Sequence, residues 1–310
     1  MWKILLIILC MGMPTRSFAW GFYGHRCINY AAVFCLPEAL FAFYKVHLDY
    51  ITEASTYPDR RRYAIEEEGP RHYIDTEFYL QNKSIDSIPH NFLTAQTQFD
   101  SAHLHNHGIL PYHIIRVYRQ LVYAFQTHDL EAVLRQSAEL GHYVGDLHVP
   151  LHTTENYNGQ LTNQHGIHGL WETRIPELTI RPEQLTAAPA QYVSNITEVV
   201  WTIHKRSFEL TDSVLHIEKL MDSTLKFSVE LRNNKPIKTY SDDYVSAYDK
   251  QLNYMVLSRL KASVLTLGSL WYSAWIDAGQ PDLNAWVRGT AKHVEQTTDS
   301  LDVEHDHYGH

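Results

Sequence analysis

The stretch HYVGDLHVPLH, residues 142 to 152, gathers His142, His148, His152 and Asp146 beside Pro150. In a helix, His142 and Asp146 stand four apart on one face, so their side chains meet over one turn. Pro150 ends such a helix, and His152, just beyond it, can fold back towards the same pocket. Two imidazoles and a carboxylate in one small volume suit zinc. The chain carries 20 His in 310 residues, so proximity alone does not make a site, and a metal reading needs further donors.

Four other places supply donors of the right type. Downstream, HGIHGLWE sets His168 and Glu172 four apart, a second helical pair of the same kind. Upstream, RHYID offers His72 and Asp75, and YPDRRR offers Asp59 followed by Arg60, Arg61 and Arg62. Near the start, WGFYGH places His25 five residues after Trp20. If a leader is cleaved before Trp20, its free amine and carbonyl form a chelating pair.

The ordered run WGxxGH, PD, HYID, HYVGDxxxPLH and HxxxE resembles the trinuclear-zinc superfamily that joins zinc-dependent phospholipases C to single-strand-specific nucleases of the S1/P1 type. The likeness spans Trp20 to Glu172; beyond it only helical periodicity is legible. It implies three zinc ions. The first is held by Asp59, His72, His142 and Asp146, and the second by His152, His168 and Glu172. The third takes the Trp20 amine and carbonyl, His25, and the other oxygen of Asp146. It also implies roles for Arg62 on the phosphate, and for Tyr73 and Asp75 on a nucleobase, by stacking and by hydrogen bonding. Asp59, Arg62 and Asp146 are the catalytic candidates. Two features depart from a single pattern: Glu172 is the phospholipase-like choice where the nucleases carry Asp, whereas the short Trp20 to His25 gap is nuclease-like. His148 falls where relatives have a polar residue that is not a ligand, and His168, not His165, has the four-residue spacing to Glu172.

The activity implied is hydrolysis of a phosphodiester, foremost in single-stranded nucleic acid, by a hydroxide bridging two metals. A phospholipase C-like action on lipid head groups is the alternative, and a zinc-stabilised helical protein without activity is a third. Closed tetrahedral structural sites do not need so many ligand positions, which argues against the third.

The elements that position these residues read as helical throughout, so the expected fold is all-α. The first 19 residues have the charge, apolar run and small-residue end of a secretory leader, which implies a secreted or periplasmic protein; residues 20–290 read as one domain and the acidic, His-containing 291–310 as a tail. The apolar run is too short to span a bilayer. Residues 112–127 and 129–148 carry helical periodicity, with Asp129 as a cap. Residues 190–231 also look helical, and 244–278 reads as one long core helix stopped by Gly279 and Pro281. NYNGQLTNQHG, at 156 to 166, is a loop, and HLHNH, with His103, His105 and His107, reads as loop too. Cys27 and Cys35, about 12 Å apart along a helix, cannot bridge. Hydrophobic residues make up 45% of the chain, enough for a core without disulfides. A net charge of −9 excludes a broad basic surface for duplex nucleic acid.

Overall fold

The computed structural model describes residues 21–232, 235–283 and 285–286. The expected leader, Trp20 and the C-terminal tail lie outside these residues. The fold is all-α, as expected, and the two short strands described below are the exception among the described residues. No described helix is long and apolar enough to cross a membrane.

The principal helices are α1 (Phe22–Val33), α2 (Leu110–Gln126), α3 (Leu130–Leu147), α4 (Ile196–Leu220), α5 (Asp242–Gln251) and α6 (Met255–Asp277). The α2–α3 hairpin forms where the periodicity placed it. The Asp129 carboxylate caps α3 by accepting from Ala132 N at 3.0 Å, and His128 turns the chain with φ +57°. Helix α3 lies at the centre, against α1, α2, α6 and the short helix Leu48–Ala54. Its far face is tied to the aromatic core. Tyr44 stacks on Trp271 at 4.6 Å, the Tyr44 hydroxyl meets Ser137 Oγ at 2.8 Å, and the Trp271 indole N–H donates to the Ser137 carbonyl.

Three expectations are corrected. The helix expected over 244–278 is two helices, because Asn253 and Tyr254 adopt left-handed backbone (φ +52° and +55°) and interrupt the ladder between α5 and α6. The helical reading of 190–231 holds only for α4. Phe227–Arg232 (β1) and Lys235–Tyr240 (β2) pair antiparallel, Phe227 opposite Tyr240; the alternation Phe-Ser-Val-Glu-Leu-Arg has strand period, but its six residues follow directly on a long helical pattern. HLHNH is not a loop but part of a short helix, Ser101–His107, capped by Asp100. There His103 stacks on Phe99 and His107 on Phe78. Residues 156–166 are irregular, as read, and Cys27 and Cys35 are both free.

One contact sets the depth at which α3 sits. Buried Asn29 of α1 donates to the carbonyls of Ile51 and Ala138, clamping three helices together. Gly141 of α3 faces it so closely that a Cβ there would lie 1.9 Å from Asn29 Oδ1 and 2.7 Å from Leu267 Cδ2. Gly141→Ala is therefore expected to push α3 away from α1 and α6 and to cost about 1–3 kcal/mol, the usual range for overpacking. Thermal unfolding of the variant checks this, and a midpoint equal to that of the parent protein would contradict it.

Candidate metal centre

Asp146 lies in the last turn of α3, wholly buried, with its two oxygens aimed at different rings. Oδ2 is 3.0 Å from His72 Nδ1 and 3.3 Å from His142 Nε2, while Oδ1 is 3.4 Å from His25 Nε2. Asp59, on the short helix Tyr57–Arg61, completes the group, with Oδ1 3.9 Å from His72 Nδ1. The rings of His25 and His142 stack at 3.9 Å. His25, Asp59 and His142 thus form one ligand-type cluster and His72, His142 and Asp146 another, sharing His142. A third comprises His152, His168 and Glu172. Glu172 Oε2 is 2.9 Å from His168 Nε2 and 3.3 Å from His152 Nε2.

These side chains arrive by three local devices. The four-residue pairs His142/Asp146 and His168/Glu172 are one helical turn each, the second running into a wide π-type turn at Leu170–Arg174. Pro150 stops α3 and starts the 3₁₀ turn Pro150–Thr153, which folds His152 back. Main-chain carbonyls orient the imidazoles: Nδ1 of His142 donates to Ser55 O, that of His152 to His72 O, and that of His168 to Tyr157 O. In all three rings Nε2 is left facing a carboxylate, the arrangement that fixes the ligating tautomer in metal sites.

Four carboxylates here, Asp59, Glu68, Asp146 and Glu172, are fully buried. Burial raises the pKa of such groups, yet Asp146 is held well below the usual range because the charges on His142 and His152 outweigh it. Glu172 is lowered too, as His168 and His152 overcome the effect of burial. Even so, both oxygens of Asp59, Asp146 Oδ1, Glu172 Oε1 and both ring nitrogens of His25 make no hydrogen bond. Buried polar atoms are nearly always paired. So many orphan donor atoms converging in one place fit bound cations, and a set of imidazoles and carboxylates suits zinc.

The three arginines after Asp59 diverge. Arg60 lies over the rings of Phe22 and Tyr57, and Arg61 bonds Glu68 and Glu139. Arg62 turns to the cluster, 3.6 Å from Asp59 Oδ1. Tyr73 and Asp75 lie on the next segment. The Tyr73 hydroxyl donates to Asn106 O, and Asp75 Oδ2 is 3.5 Å from His107 Nδ1. His103, His105, His107 and His148 enter none of the three clusters. His148 donates instead to Val144 O, and burial with the Arg259 charge lowers it to about 3.

One residue escapes a reading of the sequence. Glu68 is buried beneath His72, accepting from Arg61, Arg71 and the Tyr143 hydroxyl, with Oε1 3.6 Å from His72 Nε2. Burial would raise its pKa, but the contacts with His72, Tyr143 and Arg61 hold it well below the ordinary range. Its four-residue spacing to His72 was visible, but Pro70 between them bars an α-helical reading, and the segment is indeed 3₁₀.

The scaffold is all-α and closes three clusters of metal-ligand type. A family model described as S1/P1 nuclease matches residues 20–267. The chain belongs to the S1/P1 nuclease family, within the superfamily that its motifs resemble. The match reaches well beyond Glu172, into the half where only periodicity had been legible. Among solved structures, the chain is similar to the alpha-toxin of an avian strain of Clostridium perfringens, at 15% identity and a TM-score of 0.50, over 86% of this chain and 65% of that one. The alpha toxin of Clostridium absonum follows at 14% identity and 0.47, over 84% and 65%. The chain thus spans less than two thirds of either toxin, and the first likeness speaks to fold alone. No curated protein matches the chain.

Glu68→Gln keeps the shape of the side chain and removes its charge. It is expected to destabilise the fold by about 1–3 kcal/mol, read as a lower unfolding midpoint, for an imperfectly paired buried Tyr143 hydroxyl. It should also weaken zinc retention about 10- to 100-fold, as loss of a ligand's orienting partner does. Zinc titration against a competing chelator reads the second effect; an unchanged affinity would remove Glu68 from the centre.

Proposed function

We propose that this protein is an exported zinc phosphodiesterase that cleaves single-stranded nucleic acid. The observation that carries the reading is the convergence of unpartnered buried oxygens and imidazole nitrogens around Asp146. Asp59, His72, His142 and Asp146 would hold one ion, and His152, His168 and Glu172 a second. His25, Trp20 and the second oxygen of Asp146 would hold a third. Bound zinc supplies Lewis acidity towards phosphoryl oxygens and makes water ionisable near neutral pH.

The protein's own groups do the rest. Arg62, next to Asp59, binds the phosphate oxygens where negative charge grows in the transition state, a charge-assisted contact that strengthens along the reaction. Tyr73 offers a ring face to a base that is not held in a duplex, since any unpaired base can stack. Asp75 hydrogen-bonds that base's edge. The carbonyl-anchored rings keep their donor atoms fixed, so little reorganisation accompanies the reaction. The expected leader supports export.

Phospholipase C-like action is the second reading, favoured by Glu172. Purified mature protein assayed on single-stranded DNA, RNA and a phosphatidylcholine dispersion separates the two. Hydrolysis of the lipid with no cleavage of either polynucleotide would overturn the nuclease reading.

Two further outcomes are expected. Asp146→Asn should lose more zinc and more activity than any other single change among the proposed ligands, because Asp146 faces three rings; metal analysis beside turnover checks it, and retention of activity would sink the assignment. Burial, together with the charges of Glu77 and Glu155, pushes the Asp75 carboxyl up to about 7. Below that pH it is protonated, and above it is an acceptor for base N–H groups. KM for single-stranded substrates whose bases carry such groups should therefore fall as pH rises through 7, and Asp75→Asn should flatten the KM profile. Identical KM profiles for both forms would show that Asp75 does not meet the base.

A further inference from the structure

Outside the metal centre, a groove of about 870 Å³ runs along α2 and across the start of α3. Its α2 wall presents Arg116, Arg119 and Tyr123, all exposed, and its other walls include Phe92 and Arg135. Arg116 and Arg119 have no ion pair or hydrogen bond among the described residues. Arg135 is only loosely held, 4.0 Å from a highly exposed Glu131. Asp129 also lines the groove, but its carboxylate serves as the cap of α3. In a chain of net charge −9, unpaired arginines set between aromatic rings are a local reversal of sign, suited to a polyanion with flat, stackable groups.

The floor of the groove packs towards the metal centre through a chain of buried, edge-on rings. His113, at its inner end, packs edge-on against Tyr143 at 4.5 Å, and Tyr143 lies 5.6 Å from the His72 ring. Burial, then the neighbouring charges of Arg71 and Arg116, lower His113 to about 3. The ring is therefore neutral, and the positive charge at this junction belongs to the two arginines. Arg71 is itself tied to Glu68 beneath His72. The positive charge on the groove itself is therefore that of Arg116, Arg119 and Arg135.

We infer that this groove is a second binding surface for single-stranded nucleic acid, with Arg116 and Arg119 on backbone phosphates and Tyr123 and Phe92 stacking on bases. The inference rests on the nuclease reading of the metal centre. From His113 to Thr127 the helix rises about 21 Å, enough for about six nucleotides at a stacked rise of ~3.4 Å. The surface therefore acts on long strands and leaves the shortest substrates untouched. Arginine grips the phosphates and aromatic faces accept any base, so affinity is gained without sequence preference.

The test compares the zinc-loaded parent protein with Arg116→Ala/Arg119→Ala and with Tyr123→Ala. These residues lie on the surface, away from the centre. One readout is KM for a single-stranded 20-mer and for a dinucleotide. The other is equilibrium binding of a cleavage-resistant phosphorothioate 20-mer, followed by fluorescence anisotropy. The double variant should raise KM and Kd for the 20-mer severalfold, leaving kcat and dinucleotide turnover unchanged. Its log Kd against log salt should lose about 1.4 in slope, ~0.7 for each phosphate contact removed. Tyr123→Ala should weaken 20-mer binding about fivefold or more, the low end for a lost stacked base. Equal 20-mer binding and KM in the variants and an active parent protein would overturn the groove and leave the nuclease reading standing. A zinc-loaded parent protein that neither cleaves nor binds the 20-mer would overturn both. Loss of binding to phosphatidylglycerol vesicles, with 20-mer binding unchanged, would reassign the groove to a lipid surface.

Discussion

The burial of the Asp146 carboxylate is the constraint around which the rest is arranged. A carboxylate removed from water is tolerable only when opposite charge and hydrogen bonds replace its hydration. Among the described residues, the ion-pair partners of Asp146 are histidines. Three imidazoles surround it, and three more buried carboxylates crowd the same region. Helix α3 must therefore bring Asp146 to the point where α1, the Tyr57–Arg61 helix and the segment bearing His72 converge. The close approach of Gly141 to Asn29 one turn earlier is what allows that depth. Cations bound at the clusters would add their binding energy to folding.

The order within the centre comes from backbone as much as from side chains. Ser55, His72 and Tyr157 each lend a carbonyl to an imidazole, so three loops far apart in sequence fix three ring orientations. A carbonyl cannot be replaced by substitution, which makes these anchors indifferent to the residue type that bears them. Glu68 serves His72 differently: it is charged, and its own burial is compensated by Arg61, Arg71 and Tyr143. The centre is thus wrapped in a ring of partners whose loss would propagate inward.

Charge is distributed unevenly over the molecule. The chain as a whole is acidic, and the buried carboxylates account for part of that excess, since bound cations would neutralise them. Part of the positive charge lies where an anionic substrate would pass: Arg62 beside Asp59, and Arg116 and Arg119 along the α2 groove. For the proposed phosphodiesterase this would separate two tasks, with carboxylates inside for the metals and guanidinium groups outside for phosphates.

The sequence by itself determined what depends on covalent periodicity. The His142/Asp146 and His168/Glu172 pairs were legible because a helical turn fixes the relation of residues four apart, and the fold-back of His152 followed from Pro150. The all-α class and the α2–α3 hairpin, with its Asp129 cap, were legible for the same reason. Tertiary packing alone decided the rest. It stacked His25 on His142, two rings more than a hundred residues apart whose meeting no local rule encodes. It chose Arg62 over Arg60 and Arg61 to face the cluster and enlisted Glu68 across a 3₁₀ turn. It also broke the helix expected at 244–278 with two left-handed residues and drew β1 and β2 out of an apparently helical stretch. Six alternating residues carry too little signal to outweigh an adjoining helix, whereas pairing with a second strand in three dimensions satisfies their backbone at once.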